Sequence, residues 1–328
     1  MRVVGVSQLK HAGSIASVLA LVAGLLGGGA AGAADLTIAM PNWSSGQASA
    51  NILKVAIKRE LGLDANVVEM GTLIAFAGLD SGAVDVHPEA WLPNLNNLVD
   101  RYVTRAKTVA LSPLAVPAWQ GICANKIASD QVEIRDIADL SDPKKAAALD
   151  TDGDGIGELW IGAETWSSTA IERIRANSYG YAKSLQLLEM PEDVGMAAVD
   201  AAEAVGKPIV FACYAPNAVF KLHEIARLTE PPFDAAKWKV VLPSEDPAWL
   251  EESSAPVGWD AASYHIAYST SLKQRHPDVV RFLEHVDFTP DEAIEMSYAL
   301  QVERRDPLEY ATKWVESHAD RVKGWAQK

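Results

Sequence analysis

Residues 36–86, LTIAMPNWSSGQASANILKVAIKRELGLDANVVEMGTLIAFAGLDSGAVDV, alternate short apolar runs with helix-like stretches. The pattern predicts strands at 36–40, 66–70 and 83–86, and helices at 48–61 and 73–79. Between the first strand and the first helix lies a run of turn-forming residues from Pro41 to Gly46. Strands that alternate with helices pair in parallel, so this segment predicts a largely parallel sheet with helices on both faces.

The same alternation resumes after residue 115. Further strands are predicted at 118–124, 159–162, 208–213 and 238–242, and helices at 168–179, 191–205, 277–286, 290–300 and 307–325, with another opening at 137–140. Ser167 or Ser168 is the predicted N-cap of the 168–179 helix. The sequence therefore predicts an α/β protein of two lobes, with lobe 1 at 34–117 and 241–328 and lobe 2 at 118–240.

The first 33 residues have the order of a cleaved secretory signal. Arg2 and Lys10 precede an apolar run at 15–26, and small residues follow up to Ala33. A membrane-spanning helix needs about 20 apolar residues, more than this run supplies. We therefore expect export to the periplasm through a signal peptide at residues 1–33, and a freely diffusing monomer.

The charge balance narrows the class of partner. The formal net charge is -14 at pH 7, which argues against nucleic acid and against anionic membrane surfaces. The two cysteines, Cys123 and Cys213, lie in apolar, strand-like stretches. An oxidising compartment permits a disulfide between them, but buried free thiols are also common, and the sequence leaves both alternatives open.

Large aromatic residues occur at the ends of five predicted strands: Trp43, Trp91, Trp119, Trp166 and Tyr214. Ligands of open α/β sheets bind where strands end. A quaternary ammonium group has no N–H to donate, so a protein attracts it through negative charge or through the faces of aromatic rings. Any one tryptophan is more often part of a core, yet these five adjoin turn residues and come from both halves. The pattern favours a cleft for an organic cation.

Several stretches resemble the glycine betaine/proline betaine-binding periplasmic proteins, in order and over essentially the whole mature length. They are SGAVDV at 81–86 leading to WLP at 91–93, LSDPK at 140–144, LDTDGDG at 149–155, PIVF at 208–211 leading to YAP at 214–216, and GW at 324–325. The resemblance implies a type II periplasmic binding protein, with mixed, mainly parallel sheets and the ligand in the cleft between two hinged lobes. It also implies an ABC permease as partner and no catalysis.

The resemblance extends to an aromatic box around the trimethylammonium group. Trp91 and Trp166 match box tryptophans, and Tyr214 stands at a third box position that is usually tryptophan. Choline-binding relatives place rings where Trp43 and Trp119 stand.

Departures from the family pattern bear on the ligand. A histidine that holds the betaine carboxylate in one relative falls near Asn94 or Leu95, and the acid of choline binders falls at Ser45. The donors that remain for a carboxylate are Ser167 and Ser168 at a helix start. The resemblance to glycine betaine/proline betaine-binding proteins nevertheless makes glycine betaine or proline betaine the first expected ligand.

Glu164 complicates the choice of ligand, because it stands two residues before Trp166. A carboxylate in the pocket would repel betaine, pair with choline, or, when protonated, donate to trimethylamine N-oxide. A solvated turn residue is an equally good interpretation. Choline and trimethylamine N-oxide therefore stay as alternative ligands. A secreted hydrolase or metalloenzyme acting on a small amine is the alternative of a different class.

The segment from Asp150 to Glu158 places acidic residues at calcium-loop spacing, with Asp150, Asp152 and Asp154 alternating and a glycine sixth. The twelfth position is Ile161, so the usual bidentate glutamate is absent. A structural calcium site and a simple acidic turn are both consistent with this pattern. No cofactor is required for the expected function.

Overall fold

The computed structural model describes residues 34–327, and the predicted signal peptide at 1–33 lies outside the described residues. The strands are β1 (Leu36–Met40), β2 (Ala65–Glu69), β3 (Val86–Leu92), β4 (Val109–Asn125), β5 (Gly157–Gly162), β6 (Leu185–Glu189), β7 (Val210–Ala215), β8 (Ile225–Arg227) and β9 (Ala262–Ser269).

The helices comprise six longer ones and eight short ones within the described residues. They are α1 (Ser44–Leu61), α2 (Thr72–Ser81), α3 (Asn96–Leu98), α4 (Lys126–Gln131), α5 (Pro143–Ala147), α6 (Ser167–Tyr179), α7 (Glu192–Val205), α8 (Val219–Leu222), α9 (Trp249–Glu252), α10 (Leu272–Arg275), α11 (Pro277–Glu284), α12 (Pro290–Ser297), α13 (Pro307–Ser317) and α14 (Ala319–Gln327). None of the helices in the described part of the chain has the length and hydropathy needed to cross a membrane.

Local sequence explains where several helices begin and end. The side chains of Thr289 and Asp306 cap the first turns of α12 and α13, and each helix has proline at its first position. Helix α1 ends at Gly62, whose left-handed backbone (φ 74°) suits glycine.

The strands form two sheets that share β4. The first sheet has the order β2-β1-β3-β9-β4, and the second contains β8, β4, β7, β5 and β6. Strand β4 pairs with β9 through Ala118 and with β7 from Trp119 onward. The chain therefore passes from one lobe to the other inside a single strand.

The predicted parallel pairing holds for part of each sheet. Strands β2, β1 and β3 are parallel, as are β6, β5 and β7, whereas β9 and β4 run antiparallel to their neighbours. The carboxyl ends of β1 and β3 in one lobe, and of β5 and β7 in the other, thus belong to parallel sets. That arrangement is the one expected to hold a ligand at strand ends.

The first sheet is covered on both faces, as predicted. Ile38 packs with α1 and the C-terminal helices, while its neighbour Ala39 packs with Phe76 and Leu79 of α2 on the other face. This alternation follows from the two-residue period of a strand. The C-terminal helices therefore return to the first lobe.

Some predicted elements are wrong. Residues 238–242 do not form a strand: Val241 N–H bonds the Ser253 hydroxyl, and Trp238 packs on Trp259. The sequence pattern also missed β6, β8 and β9, and it predicted one helix at 307–325 where α13 and α14 are separate.

The second crossing between lobes lies within the segment that leads to β9. Trp259 donates to Glu172 of α6 at 2.6 Å, and Ala255 N–H donates to Ser178 at 2.9 Å. These bonds tie residues 255–259 to the second lobe. The predicted lobe boundary at 240/241 stays a prediction.

Candidate functional site

Four of the five predicted rings meet where parallel strands end. Trp43 is the N-cap of α1 after β1, and Trp91 is the penultimate residue of β3. Trp166 is the N-cap of α6 after β5, and Tyr214 is the penultimate residue of β7. Each lobe thus contributes two rings. Trp91 lies inside its strand and not after it, because β3 runs six residues beyond the predicted end at Val86.

The rings stand nearly perpendicular to one another. Trp43 and Trp166 have centroids 6.1 Å apart at 90°, Trp166 and Tyr214 6.0 Å apart at 81°, and Trp91 and Tyr214 5.3 Å apart at 81°. Perpendicular walls present both faces and edges to a shared space. We call Trp43, Trp91, Trp166 and Tyr214 the ring cluster.

A small cavity opens at the ring cluster. Besides the four rings it is lined by Thr72, Glu89, Asn94, Leu95, Gln120, Ser167 and Ser168. Its walls are mostly apolar, and no lysine, arginine or histidine is among these lining residues. Such a cavity suits a small organic head group with a few polar contacts.

Glu89 lies behind two of the rings and is fully buried. Its carboxylate accepts hydrogen bonds from the indole N–H of Trp43 (2.6 Å) and Trp91 (3.2 Å). The hydroxyls of Ser45 (3.1 Å) and Ser49 (3.0 Å) donate to it as well. Burial raises the pKa of Glu89, and the four hydrogen bonds oppose that shift.

Glu192 is a second buried carboxylate, and it joins the lobes. At the start of α7 it accepts from the backbone N–H (2.9 Å) and the hydroxyl (3.0 Å) of Ser44 in the first lobe. It also accepts from the Tyr214 hydroxyl and from Asn217 (3.3 Å). Burial raises the pKa of Glu192. Its carboxylate therefore orients Tyr214 and contacts the opposite lobe at once.

Further hydrogen bonds cross the cleft. The indole N–H of Trp166 donates to Asn42 (2.9 Å), and Asn42 donates to Thr165 (3.0 Å). Asn94 and Gln120 exchange two amide hydrogen bonds, at 2.8 and 2.6 Å. The lobes are thus in contact, and the ring cluster is held from both sides.

The start of α6 faces the cavity with its serines. Trp166 is the N-cap residue, so the prediction of a serine cap is wrong, and Ser167 and Ser168 occupy the first turn. That turn contains no acidic residue, and the Ser167 hydroxyl is buried without a hydrogen-bond partner among the described residues. The helix dipole and these donors suit an anionic or polar ligand group.

Two predicted site residues lie outside the cavity. Trp119 packs on Phe220 (5.2 Å between centroids) beneath the guanidinium of Arg227. Its neighbour Gln120 lines the cavity instead, because successive residues of a strand point to opposite faces. Glu164 lies exposed in a turn, so the solvated interpretation fits it.

Sequence reasoning missed Glu89, Glu192, Asn94, Gln120 and Thr72. One signal was available for Glu89: it stands two residues before Trp91, so the two share a face of any strand. The sequence offered no comparable signal for Glu192, since its partner Ser44 is 148 residues away.

His87 of β3 lies beside the cavity and has a structural role. It is fully buried, and burial lowers its pKa to about 4. Its Nδ1 accepts from the Glu89 backbone N–H at 3.2 Å. A neutral imidazole therefore supports the backbone beside the cavity.

The acidic loop brings four carboxylates together. One oxygen from each of Asp150, Asp152, Asp154 and Glu158 lies within 4.8 Å of the others. Glu158 is buried; one of its oxygens accepts from the backbone N–H (2.8 Å) and hydroxyl (2.7 Å) of Thr151, and the other has no hydrogen-bond partner among the described residues. This oxygen set fits a calcium ion in chemistry. Calcium binding here stays a prediction.

The cysteine question has a definite answer in the structure. Cys123 of β4 and Cys213 of β7 form a disulfide, with Cα atoms 5.7 Å apart. The two strands are antiparallel neighbours, which sets that distance. The disulfide fastens the strand that carries Tyr214 to the strand that enters the second lobe.

Comparison with known proteins identifies a family model that matches most of the chain and two relatives of known name. Residues 34–317 match the profile of the substrate-binding domain of ABC-type glycine betaine transport systems. The glycine betaine/proline betaine-binding periplasmic protein of Salmonella typhimurium is 22% identical over 233 residues, 64% of each chain. The Escherichia coli protein of the same name is 22% identical over 264 residues, 78% of each chain.

Solved structures show the same two-lobed fold. Lactococcal OpuAC in its closed-liganded conformation with glycine betaine superposes with a TM-score of 0.66 at 20% identity, covering 89% of this chain and 99% of its own. A choline-binding protein of an ABC transporter, in complex with choline, gives 0.68 at 17% identity, covering 88% and 90%. The predictions of a two-lobed binding-protein fold and of a binder in place of an enzyme are confirmed at the level of the family. The chain belongs to the family of substrate-binding domains of ABC-type glycine betaine transport systems.

Proposed function

We propose that this protein is the periplasmic solute-binding subunit of an ABC importer, and that it captures a small trimethylammonium osmolyte in the ring cluster. The observation that carries the proposal is that four rings, two from each lobe, line one cavity. A desolvated ring contact with a cation contributes about 2 kcal/mol. Four contacts approach the roughly 8 kcal/mol of a micromolar complex.

Glycine betaine or proline betaine is the first candidate ligand. The Ser167 and Ser168 N–H groups and hydroxyls, at the start of α6, would receive the ligand carboxylate. Donors at a helix start that lack a partner stabilise an anion without a cationic side chain.

Choline and trimethylamine N-oxide are the second candidates for the same role. Glu89 favours choline in particular, because a carboxylate behind two rings balances a net positive charge. The amides of Asn94 and Gln120 would offer polar contacts to a hydroxyl or an N-oxide oxygen.

Closure of the lobes would complete the site. The bonds from Trp166 to Asn42 and from Ser44 to Glu192 join the two lobes, so separation of the lobes would break them. A ligand that contacts rings of both lobes therefore binds the closed form more tightly and shifts the population toward it. The closed form would then be the species that the permease recognises.

Isothermal titration calorimetry with glycine betaine, proline betaine, choline, carnitine and trimethylamine N-oxide tests the proposal. We expect saturation at one ligand per chain, with the ligand recovered unaltered by NMR. Chemical conversion of the ligand would instead indicate the hydrolase alternative. Failure of every ligand to bind would refute the proposed function.

Trp91→Ala tests the ring cluster, and Trp119→Ala is the matched control. Both remove one tryptophan from a strand, but only Trp91 lines the cavity. We expect Trp91→Ala to weaken binding at least 30-fold, from about 2 kcal/mol of lost ring contact, and Trp119→Ala to leave it within about twofold. Equal affinities for the two variants would contradict the assignment.

A further inference from the structure

Glu89 connects two rings of the cavity to one carboxylate. Both indole N–H groups, from Trp43 on α1 and Trp91 on β3, bond the same oxygen, Oε2. Indole N–H groups donate and cannot accept, so they match an acceptor and fix the planes of their rings. The hydroxyls of Ser45 and Ser49 complete four donors around a fully buried side chain.

Glu89 also lines the cavity itself. The cavity residues include no other acidic side chain and no basic one. A negative charge here, in low-polarity surroundings, acts on a cation far more strongly than a surface charge would. The carboxylate and the ring faces therefore attract the same ligand group.

The contact between Ser45 and Glu89 explains how the cavity has a negative charge although position 45 is serine. The resemblance to choline binders placed their acidic residue at position 45, where this chain has serine. The Ser45 hydroxyl donates to Glu89 at 3.1 Å. A carboxylate thus reaches the vicinity of position 45 from β3, so the counter-charge that the sequence comparison found missing is present in the fold.

We infer that Glu89 is a positioning and specificity-determining residue, which orients Trp43 and Trp91 and, when ionised, supplies the charge that holds a cationic head group. This inference rests on the proposed function and adds to it a link between ligand affinity and pH. A bound cation stabilises the ionised carboxylate, so binding releases a proton wherever the free site is partly protonated.

The sign of the link follows from the surroundings of Glu89. Burial raises its pKa in the free protein, and a cation in the cavity lowers it again. Affinity for a cation is therefore weak at acidic pH, rises as Glu89 loses its proton, and becomes flat above that range. The rise cannot exceed about tenfold per pH unit, because one proton is involved.

Other titratable groups near Glu89 contribute little to such a profile. His87, on the same strand, has its pKa lowered to about 4 by burial. Burial raises the pKa values of Tyr214 and Tyr264 well above their usual range. The carboxylate of Glu292 on α12 bonds Arg321 and Thr289 and not Glu89. Glu192, which bonds the Tyr214 hydroxyl, is the other carboxylate of the site whose pKa burial raises. The Glu89→Gln variant below leaves Glu192 in place, so it separates the contribution of Glu192 to the pH dependence from that of Glu89.

The experiment compares the wild-type protein with Glu89→Gln and Glu164→Gln, using calorimetry between pH 5 and 8. The probes are choline, glycine betaine and the neutral carbon analogue of choline, in which a tert-butyl group replaces the trimethylammonium group. Glu164 is the control because it is a nearby carboxylate that lies exposed and outside the cavity.

We expect Glu89→Gln to weaken choline binding about 100-fold, for charges about 6 Å apart at an effective dielectric constant of about 20. The same substitution should weaken binding of the neutral analogue only slightly. The choline affinity of the variant should depend less on pH than that of the wild type. Glu164→Gln should match the wild type with every probe.

A second readout does not depend on a variant that folds. In the ¹⁵N-labelled wild-type protein, the indole N–H signals of Trp43 and Trp91 should shift together as Glu89 titrates, and choline should move that titration to lower pH. Equal losses for choline and its neutral analogue, or indole signals that ignore pH and choline, would overturn the inference while leaving the proposed function standing. A wild-type protein that binds none of the probes would remove both.

Discussion

Trp166 offers the sharpest test of how the two lobes make one site, because its side chain does two separable things. Its ring is a wall of the cavity, 6.1 Å from Trp43 and 6.0 Å from Tyr214. Its indole N–H crosses the cleft to Asn42 at 2.9 Å. One substitution removes both contributions, and another removes the second alone.

The magnitudes follow from those contacts. Trp166→Ala loses a ring contact with the cation, about 2 kcal/mol, and a hydrogen bond between lobes, about 1 kcal/mol. The sum of about 3 kcal/mol corresponds to roughly 150-fold weaker binding. Trp166→Phe keeps a ring and loses the N–H, so we expect about a fivefold loss.

Calorimetry with the tightest ligand of the panel measures both variants. Asn42→Ala should lose at least as much affinity as Trp166→Phe, because it also removes the bond from Asn42 to Thr165. The double variant should lose less than the sum of the two, because both changes remove the bond between Trp166 and Asn42. Trp119→Ala, which removes a tryptophan outside the cavity, serves as control. Trp166→Ala binding within threefold of the wild type, with an unchanged melting temperature, would refute the proposed role of this ring.

Three further predictions concern stability and the support of the site. Replacing Cys213 and its partner by alanine should lower the free energy of unfolding by about 2–5 kcal/mol in chemical denaturation, because the disulfide closes a loop of 90 residues; an unchanged midpoint would contradict this. Calcium added to chelator-treated protein should raise the melting temperature by about 5 °C at a hundredfold excess over its dissociation constant. The Asp150→Asn substitution should abolish this rise. An equal response to magnesium would contradict a calcium site formed by the acidic loop that includes Glu158. Gly195→Ala should destabilise the protein by about 1–3 kcal/mol and weaken ligand binding, because a Cβ there would lie 2.5 Å from the indole of Trp160, which packs against Trp166 of the cavity. Thermal melts measure the loss of stability, and calorimetry measures the loss of affinity. Gly206→Ala is the control: this site has open space around it but a left-handed backbone, so the comparison separates steric contact from backbone strain.

Glu89 and Trp119 show where the sequence pattern stopped being informative. The ends of β1, β2, β5 and β7 could be located to within two residues from local periodicity, whereas the end of β3 could not. Whether a side chain points into the cleft depends on strand register, and a change of one residue reverses the face. For this reason Trp119, which was predicted to line the cleft, lies outside the cavity, and its neighbour Gln120 lines it instead.

By itself the sequence determined most of the alternation of strands and helices and the ring residues available near strand ends, and it predicted an organic cation as the ligand. Those features depend on neighbouring residues and on side-chain type. Only the tertiary structure decided which rings share a cavity, that Glu89 lies behind two of them, and that Cys123 and Cys213 are joined. The bond between Ser44 and Glu192 likewise links residues 148 positions apart. Such pairings arise from the packing of two sheets and not from any local pattern.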